Sequence, residues 1–599
     1  MTPVGFDRVT FSDGFWQKIR AQNAAISIKN VYRRFEETGR FAALRCQKQK
    51  EPPHIFYDSD VAKWLEGAAY LQREFPDEEV RSIIDEAVNA IVENQLPCGY
   101  FNSYFQVYEP DKIFTRRTEH ELYCAGHLIE AAVALDVCGV NGRLLAAMRK
   151  YTDYIYLRFY VRRDAGFTTC GHPEIELALV RLYLHTGEKR YLTLAKFFLD
   201  ERGVREEAIY PFADRAYDQS HMPVRMQREA AGHAVRALYL YSAMADVGRI
   251  VGDEQLIDTC RALYRDVADK KLYVTGGVGS GWFGERFTIP YDLPNADAYA
   301  ETCAAIALAL FCHRLAQTDN RAEYHATLER ALYNSILAAE SANGKGFFYE
   351  NPLEADARYA KYANTIPGFP HKPLLQRAEV FGCSCCPPNL VRFFAQLGGF
   401  VYGEEGEVLT VNQYVSSQVS ACGIRLSVQT DIPFSGNVDI RADGRGTLSL
   451  RLPAWRTFTQ CEVDGKHVVL REKDDYAYFE VAGSVHIKLV FGMRPRFVYA
   501  NERVRADSGR KAVEYGPLVM CAEQADNGGE LFSVEIPSLE NAVVSCGKDF
   551  KILVPALRLR TESSLYGYSA PQKQPFTLTL IPYYRWANRG ENDMQIWFL

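Results

Sequence analysis

Three cysteines in four positions, followed by two prolines, form the densest chemical cluster in the sequence: Gly382-Cys-Ser-Cys-Cys-Pro-Pro-Asn389. Proline is favoured in the first turn of a helix, and Leu390-Val-Arg-Phe-Phe-Ala-Gln-Leu continues at helical spacing. Cys385 and Cys386 are therefore expected at a helix N-terminus. There the dipole and the free N–H groups favour thiolate over thiol. Thiolates are zinc ligands, and zinc takes four groups, or fewer with an open position where it does chemistry. A closed structural zinc site and inert core thiols suit the same segment.

Glu301-Thr-Cys303 adds a carboxylate and a thiol two positions apart. Residues i and i+2 of a regular helix do not share a face, so this pair chelates only at an irregular or terminal turn. The polar stretch Pro294-Asn-Ala-Asp-Ala-Tyr-Ala permits such an entry. Glu285, in Gly281-Trp-Phe-Gly-Glu-Arg-Phe, lies beyond a glycine-rich loop. Beside Trp282 and Phe283 its carboxyl is expected to be partly desolvated, with a pKa raised toward general-acid duty. The plainer alternative is a solvated loop glutamate paired with Arg286. His120, His172 and His233 each fall at an expected helix start. A lone histidine is more often structural than ligand-binding. Three at equivalent starts would rim one pocket if alternate helices line a barrel.

The elements that must position these residues fall into two kinds. From residue 60 to about 400 amphipathic helices follow one another, with runs beginning near Glu121, Arg143, Glu174, Tyr191, Ala230, Asp253, Thr302 and Ala322. Breaks fall at Pro97-Cys-Gly-Tyr and at Tyr273-Val-Thr-Gly-Gly-Val-Gly-Ser-Gly. No repeat with a fixed consensus appears, which disfavours an open solenoid and favours a closed α/α barrel. From about 405 the pattern alternates with period two, as in Ile424-Arg-Leu-Ser-Val-Gln-Thr, and suggests β-sandwich modules. The expected division is 1–404, 405–500 and 501–599.

Bulk properties narrow the partners. A chain of 599 residues exceeds what one core organises, so two or three domains are expected. A net charge of −6 gives no reason to expect nucleic acid or an anionic membrane. Met1-Thr-Pro-Val-Gly-Phe-Asp lacks the pattern of a signal peptide, and no apolar stretch is long enough to span a bilayer. Fifteen cysteines, an odd number lying mostly in apolar helical patterns, read as free thiols in a reducing, cytoplasmic setting.

Taken in order, His120-Glu-Leu-Tyr-Cys-Ala-Gly-His, Thr275-Gly-Gly-Val-Gly-Ser, Gly284-Glu-Arg-Phe, Tyr291-Asp-Leu-Pro-Asn, Ala300-Glu-Thr-Cys and Gly382-Cys-Ser-Cys-Cys-Pro-Pro-Asn resemble glycoside hydrolase family 127, the β-L-arabinofuranosidases. The resemblance covers most of the helical portion and is weakest in the β-rich tail. It implies an (α/α)6 barrel followed by β-sandwich domains. It implies zinc held by Glu301, Cys303, Cys385 and Cys386, with Cys385 as nucleophile and Glu285 as acid/base. It maps sugar contacts onto His120, His172, His233 and Tyr349, places Cys383 near the site without ligating, and offers Gln22 for a further contact. The implied reaction releases L-arabinose with retention from a small oligosaccharide or glycoside, and assembly as a homodimer is left open. Two alternatives stand beside it. One is another furanosidic sugar such as the aceric acid of pectin, to which an arginine in the pocket would point. The other is a non-catalytic carbohydrate-binding protein with structural zinc, which need not keep Glu285.

Overall fold

The computed structural model describes residues 1–545, 549–561 and 564–599. Six helices are apolar round most of their circumference, as helices covered on every side must be. They are α1 (Tyr57–Glu74), α2 (Glu121–Val137), α3 (Ile175–Thr186), α4 (Ala234–Val251), α5 (Thr302–Ala316) and α6 (Cys386–Ala395). In α2 every residue from Glu121 to Leu135 is buried. Each of the six packs on the next, and α6 returns to α1, so the ring closes.

Outside it lie helices with a single apolar stripe. In Glu78–Asn94 the buried residues Val80, Ile83, Ile84, Ala87, Val88 and Ile91 recur at helical spacing, and Asp77 caps the first turn through the Val80 N–H. Arg143–Ile155, Lys189–Glu201, Glu254–Lys270 and Ala322–Ala331 back α2 to α5 in the same way. The helical procession starts earlier than the expected residue 60. Helices Phe15–Gln22 and Ile28–Glu37 back α6, joined through a wider turn at Asn23–Ser27 that interrupts the regular spacing.

The interior of the ring is not wholly apolar. Glu66 of α1 accepts hydrogen bonds from Arg181 of α3 (2.7 Å) and Arg392 of α6 (2.6 Å). Arg181 also reaches Glu130 of α2 (2.5 Å), and Arg392 donates to the Tyr239 hydroxyl of α4 (3.1 Å). Burial alone would raise the Glu66 carboxyl, but the Arg392 and Arg181 charges outweigh it and hold it at about 2.

After the barrel come two sheets. In the first, strand Asn437–Arg451 pairs along its whole length with Tyr476–Phe491. On its other edge it bonds Ile424–Thr430 through residues 438–444 and Val408–Val411 through 447–450. The change of partner falls at Gly444 (φ 135°), opposite Gly483 (φ 101°). A Cβ on Gly444 would lie 2.0 Å from the Gly423 carbonyl oxygen, so the bend requires glycine there. Residues 2–3 and 9–11 pair with 403–404 and 417–419, so the opening of the chain supplies strands to this sheet. The second sheet uses Pro495–Val498, Ala512–Tyr515, Leu518–Glu523, Lys551–Arg560 and Gln572–Pro582. Met594–Gln595 pairs back with Glu354–Ala355, lashing this sheet to the loops of the barrel.

Candidate active site

The N-terminal ends of all six inner helices contribute to one cavity of about 250 Å³. Its lining includes Ser59, His120, His172, His233, Glu301, Cys303 and Cys385. Helix α6 begins as its prolines indicate: Cys385 is the N-cap and Pro387 lies in the first turn. Glu301 is likewise the N-cap of α5, and Cys303 lies in the turn that follows. The terminal turn lets residues two apart face one point, which a helix interior would forbid.

There the Cys303 sulfur lies 3.3 Å from that of Cys386 and 3.7 Å from that of Cys385. The Cys385 and Cys386 sulfurs are 3.8 Å apart, and Glu301 Oε1 lies 3.8 Å and 3.7 Å from them. A tetrahedral zinc with Zn–S of about 2.3 Å and Zn–O of about 2.0 Å needs S···S edges of about 3.8 Å and S···O edges of about 3.5 Å. The four donors therefore fit a tetrahedral cation in both chemistry and spacing. The second Glu301 oxygen is buried without a partner. Burial, then the neighbouring Glu285 and Cys385 charges, push the Glu301 carboxyl well above its ordinary range. A cluster so short of positive charge suits a divalent metal.

Glu285 lies in the same cavity, its carboxylate within 4.8 Å of that of Glu301. The strand pair Gly232–His233 with Arg286–Phe287 fixes its loop, and the Glu285 carbonyl accepts from the Ala234 N–H at 2.9 Å. Glu285 (φ 53°) and His120 (φ 60°) both adopt the left-handed conformation, uncommon for such residues and frequent at functional sites. Glu285 Oε2 lies 2.7 Å from His233 Nε2, and Oε1 accepts from the hydroxyls of Tyr299 (2.8 Å) and Tyr349 (3.2 Å). His233 Nδ1 accepts from the Val235 N–H (3.2 Å), so the neutral ring carries its proton on Nε2 and donates it to Glu285. Arg286 pairs instead with Asp214.

The expected upward shift of Glu285 is corrected here. Burial does raise its pKa, but His233, followed by Tyr299, outweighs burial and holds the carboxyl at about 2. Trp282 (37% exposed) and Phe283 (56% exposed) lie outside the cavity lining.

Tyr349 reaches the site because its strip of chain is tied to the start of α5. The Thr302 N–H donates to the Tyr349 carbonyl (2.9 Å), Thr302 Oγ1 to the Phe348 carbonyl (2.7 Å), and Asn351 Nδ2 to the Ala300 carbonyl (2.9 Å). The Tyr349 hydroxyl then lies 3.2 Å from the Cys385 sulfur as well as 3.2 Å from Glu285, bridging the two. It is 3.7 Å from the Cys383 sulfur, which faces the same cavity. His120, His172 and His233 form a row with ring centroids 5.8 Å and 5.6 Å apart. Gln22 is not in this group. It lies beside Glu340 and the 342–344 turn, on the helix behind α6.

Sequence reasoning passed over Tyr299, Tyr123, Tyr210, Tyr217 and Arg236. Tyr299 stands two residues before Glu301, a proximity that could have drawn attention to it. Arg236 lines the cavity, but its Nη1 donates to the Gly171 carbonyl (2.6 Å) and the Tyr210 hydroxyl (2.7 Å). Its guanidinium also lies over the Tyr210 and Tyr217 rings, which with these neutral acceptors hold it in place without cancelling its charge, the feature that the acidic-sugar alternative calls for.

Comparison with known proteins places this architecture. Residues 8–399 match the family model described as the β-L-arabinofuranosidase GH127 catalytic domain. Residues 408–491 match the GH127 middle domain, and 495–599 the glycoside hydrolase family 127 C-terminal domain. A curated non-reducing end β-L-arabinofuranosidase of Bifidobacterium longum subsp. longum is 35% identical, with 90% of this chain and 89% of that protein aligned. The crystal structure of a GH127 β-L-arabinofuranosidase from Geobacillus stearothermophilus T6 superposes with a TM-score of 0.92 at 35% identity, covering 98% of this chain and 99% of that one. A second solved GH127 β-arabinofuranosidase gives 0.91 at 32% identity, covering 100% and 97%. The fold and the matched domains define a glycosidase. The chain belongs to glycoside hydrolase family 127.

Proposed function

We propose that this chain releases L-arabinose from non-reducing-end β-L-arabinofuranosides with retention, using Cys385 as nucleophile and Glu285 as acid/base. The observation that carries the reading is the single Tyr349 hydroxyl bridging the Cys385 sulfur and the Glu285 carboxylate across one cavity. Retaining enzymes with two carboxylates keep them about 5 Å apart, and a one-hydroxyl bridge gives a comparably short span. Zinc bound by Glu301, Cys303, Cys385 and Cys386 would keep the Cys385 sulfur ionised at neutral pH, where a free cysteine of pKa about 8.5 is mostly protonated.

The sulfur attacks the anomeric carbon as the glycosidic C–O bond breaks, and the departing oxygen takes a proton from Glu285. Glu285 then removes a proton from water, whose oxygen displaces the sulfur. Two inversions leave the configuration unchanged. Glu285 is ionised in the substrate-free site, so it must gain proton affinity as substrate enters. A substrate oxygen that draws the Tyr349 hydroxyl away from it has that effect. His120, His172 and His233 direct the sugar hydroxyls, and their place in the cavity lining supports such a role.

We also propose a reducing, cytoplasmic setting. The fourteen described cysteines are all free, and no helix among the described residues is long and apolar enough to cross a membrane.

The test uses an aryl β-L-arabinofuranoside with zinc-loaded protein. The expected result is release of L-arabinose that is β-configured when first formed, and an analogue with an electrophilic anomeric centre should label Cys385. A first product of inverted configuration would refute the mechanism.

A further inference from the structure

A second cavity of about 240 Å³ lies between the barrel and the C-terminal sheet and shares no lining residue with the catalytic one. Tyr291, Tyr499, Trp597, Asn501 and Asp507 all face it. Tyr499 presents its ring to solvent, 69% exposed. Tyr291 is held at φ 67°, a strained conformation for a bulky residue, and its ring is braced by the Arg503 guanidinium 3.7 Å from the centroid. Trp597 is 95% buried by contrast, with 5% of its surface exposed, and its indole N–H is buried with no acceptor. Asp507 is also buried. One of its oxygens accepts from Asn295 Nδ2 at 2.8 Å, and its carboxylate can accept further hydroxyls.

The charges along the wall balance, with Asp269 and Asp507 against Lys270 and Arg330, so nothing selects a charged ligand. Aromatic walls combined with a few fixed donors and acceptors match a ring that has C–H faces and hydroxyl edges. We propose that this cavity is a non-catalytic saccharide site that takes one neutral sugar ring of a glycan chain. The catalytic reading enters only in the choice of probe.

The test is isothermal titration of zinc-loaded Glu285→Gln protein with an arabinofuranosyl trisaccharide. Two binding events are expected. Tyr499→Ala in that background should weaken one about tenfold and leave the other unchanged, because an exposed side chain can be removed without disturbing the fold. Asp507→Asn should weaken the same event. A single event that Tyr499→Ala does not move would overturn the proposal. Loss of the catalytic event alone, with the Tyr499-sensitive one retained, would count against the Cys385 and Glu285 reading and not against this site.

Discussion

Glu285 receives hydrogen bonds from His233, Tyr299 and Tyr349, and each donor favours its ionised form. An acid must carry its proton at the moment of transfer, so the alkaline limb of kcat, which reports the enzyme–substrate complex, should follow the loss of that proton. Tyr299→Phe removes a donor that lowers the pKa, so the pKa rises and the limb moves to higher pH. A pH–rate series on the variant and the parent measures this, and a limb that moves downward would contradict the acid assignment. The grouping of these residues was largely readable beforehand. Cysteines beside prolines announced a helix start, and Glu301 with Cys303 required a terminal turn. The state of Glu285 was not readable, because its donors come from residues 52 positions upstream and from 14 and 64 positions downstream, and only folding brings them together.

At the scale of elements, the four candidate metal ligands sit where two helices begin. Stripping a metal from Glu301, Cys303, Cys385 and Cys386 would leave a buried carboxylate and three thiols facing one another at the starts of α5 and α6. Chelation should lower the thermal unfolding midpoint by several degrees, and added zinc should restore it, as differential scanning calorimetry would show. The closure of the ring is tight at one crossing. A Cβ on Gly67 of α1 would lie 3.1 Å from the Arg392 backbone of α6. Gly67→Ala should therefore cost about 1–3 kcal/mol in denaturant unfolding and loosen the helix that carries Cys385. The six inner helices were legible as helical runs, though not as distinct from the outer ones. The helices within 15–37 were not, since Asn23–Ser27 breaks their period and their partner α6 lies some 350 residues away. The same distance hid the pairing of residues 2–3 and 9–11 with the first sheet.

Across the whole molecule, charges buried between domains do the joining. Glu329, on the outer helix Ala322–Ala331, accepts from Arg451 (2.7 Å), at the end of a strand of the first sheet, and from the indole of Trp455 (3.0 Å), in the turn that follows. Arg451 is fully buried, so Glu329→Ala strands a guanidinium away from water. The expected cost is about 3–5 kcal/mol, seen as earlier thermal unfolding, with Glu329→Gln less severe because it keeps an acceptor. The pairing of Thr2 with Glu404 has a consequence of another kind, one of time. A ribosome adds about 5–20 residues per second, so the first strand emerges roughly 20–80 s before its partner exists. Through that interval the opening residues have no sheet to join, and the barrel must assemble with its leading segment hanging free. Residues made some 400 positions ahead of their partners are thus among the last to find their place.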